Sequence, residues 1–215
     1  MCRKTGSLLM LSTLLLRLTK KKLTAGAVRI LSFNRGAAMV ITPKVIYRDV
    51  WGLGPSNNKY PGAFPRGLLT KVRRRWWSEK RLWLFSGSHK DTHGGICVDI
   101  KPEVVPDIVA DCEHLPFKDN TFTFVFADPP YSEEEARRLY GLKYCNMLKV
   151  MNEAARVCGP EGYVLLLHRL IPFHHPMSNS HFKRLIVTAI VGIYTIAGYT
   201  NIRALTVWTK QRTLT

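Results

Sequence analysis

Five positions in the chain place small, acidic or imidazole side chains where short apolar runs stop. Ser86-Gly87-Ser88 follows residues 81–85 (RLWLF), and Asp99 lies near the end of residues 95–100 (GICVDI). Asp111-Cys112 follows residues 107–110, Asp128-Pro129-Pro130-Tyr131 follows residues 121–127 (TFTFVFA), and His168 follows residues 163–167 (YVLLL). Each type suits a distinct task. A glycine turn lets a ligand approach the backbone closely. An acid after the second run can hold a ribose diol, and an acid after the third can accept from an adenine amino group. In open parallel sheets, ligands bind beyond the carboxyl ends of the strands, which is where these residues would gather.

The elements that must position them follow from the same pattern. The apolar runs are hydrophobic on both faces over much of their length, as in central parallel strands. Pro65 suits the first turn of a helix, with Leu68, Leu69, Val72 and Trp76 forming its apolar stripe. Ser132 and Glu135 form a capping box, so a helix is expected from Glu133, breaking near Gly141 and resuming from Tyr144. Met147, Leu148, Met151, Ala154 and Ala155 supply its apolar face, and Gly159-Pro160 ends it. Residues 185–196 and 201–208 are β-rich runs around Gly198, spaced to pair as a hairpin. Alternating strands and helices that end in a hairpin predict a three-layer α/β/α domain with a mostly parallel, Rossmann-like sheet.

In this order the segments resemble the class I S-adenosylmethionine-dependent methyltransferases over about residues 60–210. Phe85-Ser86-Gly87-Ser88 resembles their cofactor loop, Val98-Asp99-Ile100 the ribose-binding acidic motif, and residues 111–117 (DCEHLPF) the adenine-contacting segment. Asp128-Pro129-Pro130-Tyr131 resembles the signature of amino-methyltransferases acting on adenine or cytosine in nucleic acid, and residues 153–163 the helix and turn before the fifth strand. The resemblance implies a seven-stranded sheet with a terminal antiparallel hairpin and S-adenosyl-L-methionine as cofactor. Its ligands would be Phe85, Ser86, Gly87, Ser88, Asp99, Ile100, Asp111 and Cys112, and the catalytic segment would be Asp128, Pro129, Pro130 and Tyr131. Two departures stand out. His89 occupies the place of a further glycine. Only ten residues separate Gly87 from Val98, so the first crossover helix is cut to about one turn, and the second crossover, residues 101–106, is too short for a helix.

The four-residue signature has a chemical rationale. The lone pair of an aryl amine is delocalised into its ring, which makes the nitrogen a poor nucleophile. Hydrogen bonds from N–H to the Asp128 carboxylate and to a carbonyl near Pro129 favour a pyramidal nitrogen and stabilise the positive charge that develops on it. The prolines fix that carbonyl's direction. Tyr131 is placed to stack on a base taken out of its helix.

The chain has 215 residues, 32 basic and 15 acidic, for a net charge of +17. Such a balance draws a protein to polyanions. The cluster Lys71, Arg73, Arg74, Arg75 with Trp76 and Trp77 reads either as a solvated helix face or as a grip on phosphates. Residues 1–38 carry eight of the basic side chains, and the first acid is Asp49. They show no periodic apolar face and are expected to be a disordered basic extension ahead of a single domain over residues 39–215. The apolar stretch 8–16 is too short to span a membrane. The five cysteines are scattered without metal or disulfide spacing, consistent with a reducing, cytoplasmic compartment and no metal. His168, His174 and His175 have no Cys or acid spaced with them as a metal site needs. Phe64-Pro65 reads as a helix start, with contact to the methionine part of the cofactor as the other reading.

Three functions are compatible with these features. The leading one is methylation of an exocyclic amine in DNA or RNA; with no insertion for target recognition, it calls for a small footprint or a partner subunit. The second is methylation of a small molecule or protein side chain through the same cofactor site. The third is a degenerate, non-catalytic domain that binds nucleic acid.

Overall fold

The computed structural model describes residues 46–171, 185–195 and 202–210, all within one compact unit. Residues 1–38, and the pair His174 and His175, lie outside the described residues. Eight strands form one sheet: β1 (Tyr47–Leu53), β2 (Arg81–Leu84), β3 (Ile96–Asp99), β4 (Ile108–Val109), β5 (Phe122–Ala127), β6 (Cys158–His168), β7 (Leu185–Thr195) and β8 (Ile202–Lys210). Their order is β1-β7-β8-β6-β5-β2-β3-β4. Every neighbouring pair is parallel except those of β8, which runs antiparallel to both β6 and β7. Without β1 this is the expected seven-stranded, mostly parallel sheet with its antiparallel C-terminal hairpin.

Because side chains alternate along a strand, successive residues feed two cores. Leu82, Leu84, Val98, Val125, Ala127, Val164 and Leu166 face the helix α3 (Met147–Val157), which buries Val150, Met151, Ala154 and Ala155. Trp83, Phe124, Phe126, Leu165 and Leu167 face the other way, onto α1 (Leu68–Trp76). On α1 the stripe Leu68, Val72 and Trp76 is buried as its spacing predicts; each such side chain contributes on the order of 1.5–3 kcal/mol. The three-layer α/β/α expectation therefore holds.

Several boundaries differ from the sequence reading, each for a local reason. The sequence pattern does not mark β1. Only Trp51 and Leu53 of it are buried, so its apolar alternation is too weak to register. The first helix opens at Leu68, not Pro65; Gly67, with φ 92°, makes the left-handed entry, while the Pro65 carbonyl accepts from Leu68 N–H. The first crossover holds turns and no helix, and the second only a 3-10 turn, Pro102–Val104. The capping box forms: Ser132 Oγ accepts from Glu135 N–H at 3.1 Å. The Glu135 carboxylate reaches one residue further back than expected, to Tyr131 N–H at 2.8 Å. This helix, α2 (Glu133–Glu135), widens into one π turn, Ala136–Tyr140, and ends at left-handed Gly141. α3 starts at Met147, not Tyr144, because Asn146 caps the N–H groups of Leu148 and Lys149. It ends at Val157, so Gly159 and Pro160 belong to β6.

Candidate functional site

The carboxyl ends of β2, β3 and β5 open into a cleft of about 860 Å³, a size typical of cofactor sites. Phe85, Ser86, Gly87, Ser88, Asp99, Ile100, Asp111 and Cys112 all line it, and so do Asp128 and Pro130. The backbone at Gly87 is left-handed (φ 50°), and a Cβ there would lie 2.7 Å from the Tyr60 ring. Glycine is thus required twice, for its torsion and for the close approach of Tyr60.

Asp99 organises this end. It is 8% exposed; Oδ2 accepts from Gly87 N–H at 2.8 Å and Oδ1 from Lys101 N–H at 3.0 Å. The carboxylate ties the glycine turn to the end of β3, and each oxygen retains a lone pair for a hydroxyl. Asp111 is half exposed; its Oδ1 accepts from Glu113 N–H at 2.8 Å. Cys112 is buried, and burial raises its thiol pKa, so it stays a neutral apolar wall. Ile100 exposes 46% of its surface at the cleft, an apolar patch suited to a flat ring. Ser86 Oγ is buried without a hydrogen-bond partner among the described residues. His89, in the place of a glycine, closes the turn by donating its N–H to the Ser86 carbonyl at 2.8 Å. Its ring packs 4.5 Å from Trp83 and 5.3 Å from Phe64, and burial lowers its pKa, keeping it neutral.

The segment beyond Asp128 is built differently. Asp128 Oδ1 accepts from Tyr131 Oη at 2.8 Å, and Tyr131 Oη accepts from Arg203 Nη1 at 3.3 Å. Burial pushes the Asp128 carboxyl up to about 7; Arg203 and the Tyr131 hydroxyl oppose that rise, and Glu135 adds to it. Burial also raises the Tyr131 phenol, which remains a proton donor. The Tyr131 ring meets His168 edge-on at 5.3 Å, and the Arg169 guanidinium lies 5.4 Å from its centroid. His168 Nδ1 accepts from Leu170 N–H at 2.9 Å, which leaves the proton on Nε2, 3.2 Å from Tyr144 Oη. Tyr131 thus lies outside the main cleft and orients Asp128 instead of offering a free face to a base. It borders a second chamber of about 210 Å³ that shares Asp128, Pro130 and Tyr140 with the cleft.

The basic cluster is not brought to the site. Leu69 lines the cleft, but α1 runs away from it, putting Arg75 about 9 Å further along the axis. Arg73 stacks on Trp77 at 4.5 Å and meets His93 Nδ1 at 2.9 Å. Arg75 lies over Tyr47 and Trp51 and 3.8 Å from Asp49. Lys71 lies 5.4 Å from the Trp51 centroid, and Arg74 is exposed. Aromatic rings of the chain itself therefore hold most of these cations.

Several lining residues escaped the sequence reading. Asn58 Nδ2 donates to Ser88 Oγ at 2.7 Å. Tyr60 covers Gly87, and Tyr140 Oη donates to the Pro61 carbonyl at 3.4 Å. Phe64 lines the cleft as well, and the helix starts four residues beyond it, at Leu68. The available signal was Tyr60-Pro61-Gly62-Ala63-Phe64, two aromatics around a Pro-Gly turn. Among the described residues no three His, Cys, Asp or Glu side chains gather as metal ligands, and no helix is long and apolar enough to cross a membrane.

No protein-family profile matches the chain, and comparison with curated proteins finds no relative. Solved structures resemble it at low identity. A chain from the complex of the Haloferax volcanii Trm112 methyltransferase activator with a methyltransferase is 17% identical; the match covers 68% of this chain and 90% of that one, with a TM-score of 0.49. For a SAM-dependent methyltransferase from Methanosarcina mazei the values are 13%, 66%, 98% and 0.47. For one from Aquifex aeolicus they are 14%, 66%, 88% and 0.42.

Proposed function

We propose that this chain is an S-adenosylmethionine-dependent methyltransferase acting on the nitrogen of a small acceptor. The observation that carries the reading is one continuous cleft joining the Ser86-Gly87 turn, Asp99 and Asp111 to Asp128. The residues fit the cofactor's parts. Asp99 presents lone pairs to a ribose diol, Asp111 to an adenine amino group, and Ile100 an apolar face to the ring. The glycine turn and the Ser86 Oγ, buried without a partner among the described residues, receive the amino-acid end. When bound, the cofactor supplies a methyl group on a sulfonium; the acceptor nitrogen forms the new C–N bond as the electrons of the C–S bond return to sulfur.

Asp128 acts on the acceptor. Its carboxylate accepts the amine N–H, stabilises the charge that develops on nitrogen, and takes the proton released by the product. A carboxyl with a pKa of about 7 is well matched to that exchange at neutral pH. Tyr131 fixes its orientation through the 2.8 Å bond. A small acceptor is favoured because the chamber beside Asp128 holds about 210 Å³ and the basic face of α1 points elsewhere.

Titration calorimetry with S-adenosylhomocysteine tests the reading. Micromolar binding to the intact chain is expected, weakened about 10- to 100-fold in Asp99→Ala by loss of a charge-assisted bond. Absence of binding would leave the non-catalytic alternative. A nucleic-acid amine is the second reading, favoured by Asp128-Pro129-Pro130-Tyr131 and the +17 charge. Methyl transfer to single-stranded DNA or RNA, falling steeply with salt, would establish it.

A further inference from the structure

The chamber beside Asp128 has a charge arrangement that amine chemistry alone does not use. Two guanidinium groups, Arg169 and Arg203, line it together with Asp128 and Glu135. Both acids are engaged elsewhere: Asp128 accepts from the Tyr131 hydroxyl, and Glu135 from the Tyr131 N–H. Arg203 lowers the Asp128 pKa across the intervening Tyr131 hydroxyl but makes no direct ion pair with it. Among the described residues, the ion pairs include neither arginine. Arg203 Nη1 donates a long 3.3 Å bond to the neutral Tyr131 hydroxyl, and its Nε is buried with no hydrogen-bond partner among the described residues. Arg169 rests over the Tyr131 ring, 5.4 Å from its centroid.

A permanently charged group with a buried, unsatisfied donor is costly unless an anion completes it. Guanidinium forks are suited to planar or tetrahedral oxyanions, which they bind in two-point fashion. The Tyr131 hydroxyl bridges Arg203 and Asp128 and so separates a cationic end of the chamber from the proton-accepting end.

We propose that the methyl acceptor is an amine that also bears an oxyanion, with its nitrogen at Asp128 and its anionic group on Arg203 and Arg169. This rests on the methyltransferase reading and narrows its substrate class. In this arrangement the anion sets the amine's position, so the arginines act in acceptor binding. Arg203 serves in addition as a positioning residue for Tyr131.

Calorimetry on the full chain tests this, with S-adenosylhomocysteine present and three probes: 4-aminobenzoate, 4-aminophenyl phosphate and aniline. At least one anionic probe should bind about 10- to 100-fold more tightly than aniline, the range expected for a charge-assisted hydrogen-bond pair. The stronger of the two identifies carboxylate or phosphate as the preferred anion. Arg203→Gln should abolish the preference while S-adenosylhomocysteine affinity stays unchanged; Arg203→Lys should restore only part of it. Arg169 is exposed, so Arg169→Gln should fold normally and reduce the preference by a smaller factor. Equal binding of all three probes to a chain that binds S-adenosylhomocysteine overturns the proposal and leaves the methyltransferase reading intact. Failure to bind S-adenosylhomocysteine removes that reading first. Tight binding of a single-stranded oligonucleotide that is lost in Arg203→Gln, with no preference among the small probes, also overturns it.

Discussion

The two halves of the cleft are held together by different means. At the end proposed for the cofactor, one buried carboxylate, Asp99, fastens two backbone N–H groups only two and twelve residues away. At the acceptor end a chain of side chains, Arg203 to Tyr131 to Asp128, spans β8 and the segment after β5. The donors of the first half are main-chain groups and Asp99 is their one removable link; the relay of the second half is lost at any of its three side chains. Substitutions in the second half should change chemistry before they change folding.

The largest effect should come from breaking the relay at its reactive end. Asp128→Ala is expected to lower kcat on the order of 100-fold or more, because its interaction with the amine strengthens only as charge develops. S-adenosylhomocysteine affinity should hardly move. Single-turnover methyl transfer reads this once an acceptor is in hand; near-normal kcat would end the assignment of Asp128.

Next in size is a change at the glycine turn. Gly87→Ala places a Cβ on a left-handed backbone and 2.7 Å from Tyr60, so Tyr60 or the turn must shift. Cofactor affinity should fall at least tenfold, with a loss of stability of about 1 kcal/mol or more from the strained torsion. Thermal unfolding and calorimetry on the same sample separate the two. An unchanged affinity would mean that the turn is not a cofactor contact.

The pH dependence sharpens the contrast. Asp128 has a folded pKa of about 7, above the ordinary value near 3.9 expected when unfolded. Between these values the folded chain binds the extra proton, so stability should decrease as pH rises from about 4 to about 7 and level off above that. The methyl-transfer rate should rise over the upper part of that window as the carboxylate forms. Asp128→Asn should flatten the stability slope; a slope that survives belongs to another group.

The smallest effect is expected on α1. Replacing Arg73, Arg74 and Arg75 with Gln should leave cofactor affinity and small-acceptor turnover unchanged, with stability shifts of about 0.5 kcal/mol each. A marked loss of turnover on an oligonucleotide would restore the nucleic-acid reading.

This contrast also governs what could be read in advance. The glycine turn and the acids at 99, 111 and 128 are local signals, each placed by the strand immediately before it, and all four reach the cleft. Arg203 carries no such mark. It arrives only because β8 inserts between β6 and β7 and pairs Arg203 with Ile193. The Tyr60 cover is equally remote from Gly87. Arg156 shows both cases within one side chain: its pair with Glu153 follows from helical spacing, but its bonds to the Leu115 and Phe117 carbonyls depend on tertiary packing. The basic row on α1 is legible as a row, but spacing along a helix does not say which end of the sheet it approaches, and none of its four cations lines the cleft.

The bare crossovers have a consequence for how the chain reaches this state. With turns in place of a helix between β2 and β3, Leu82 meets Ile96 after a short loop, and closing a short loop costs little entropy. At the opposite edge Asp49 of β1 must find Val191 of β7 across most of the domain. The β2–β3 pair is therefore expected among the earliest contacts to form, and β1 among the last. Amide hydrogen exchange should then show β1 opening well before the central strands, so that the edge of the sheet can fray while the turn at Gly87 and its tie to Asp99 stay closed.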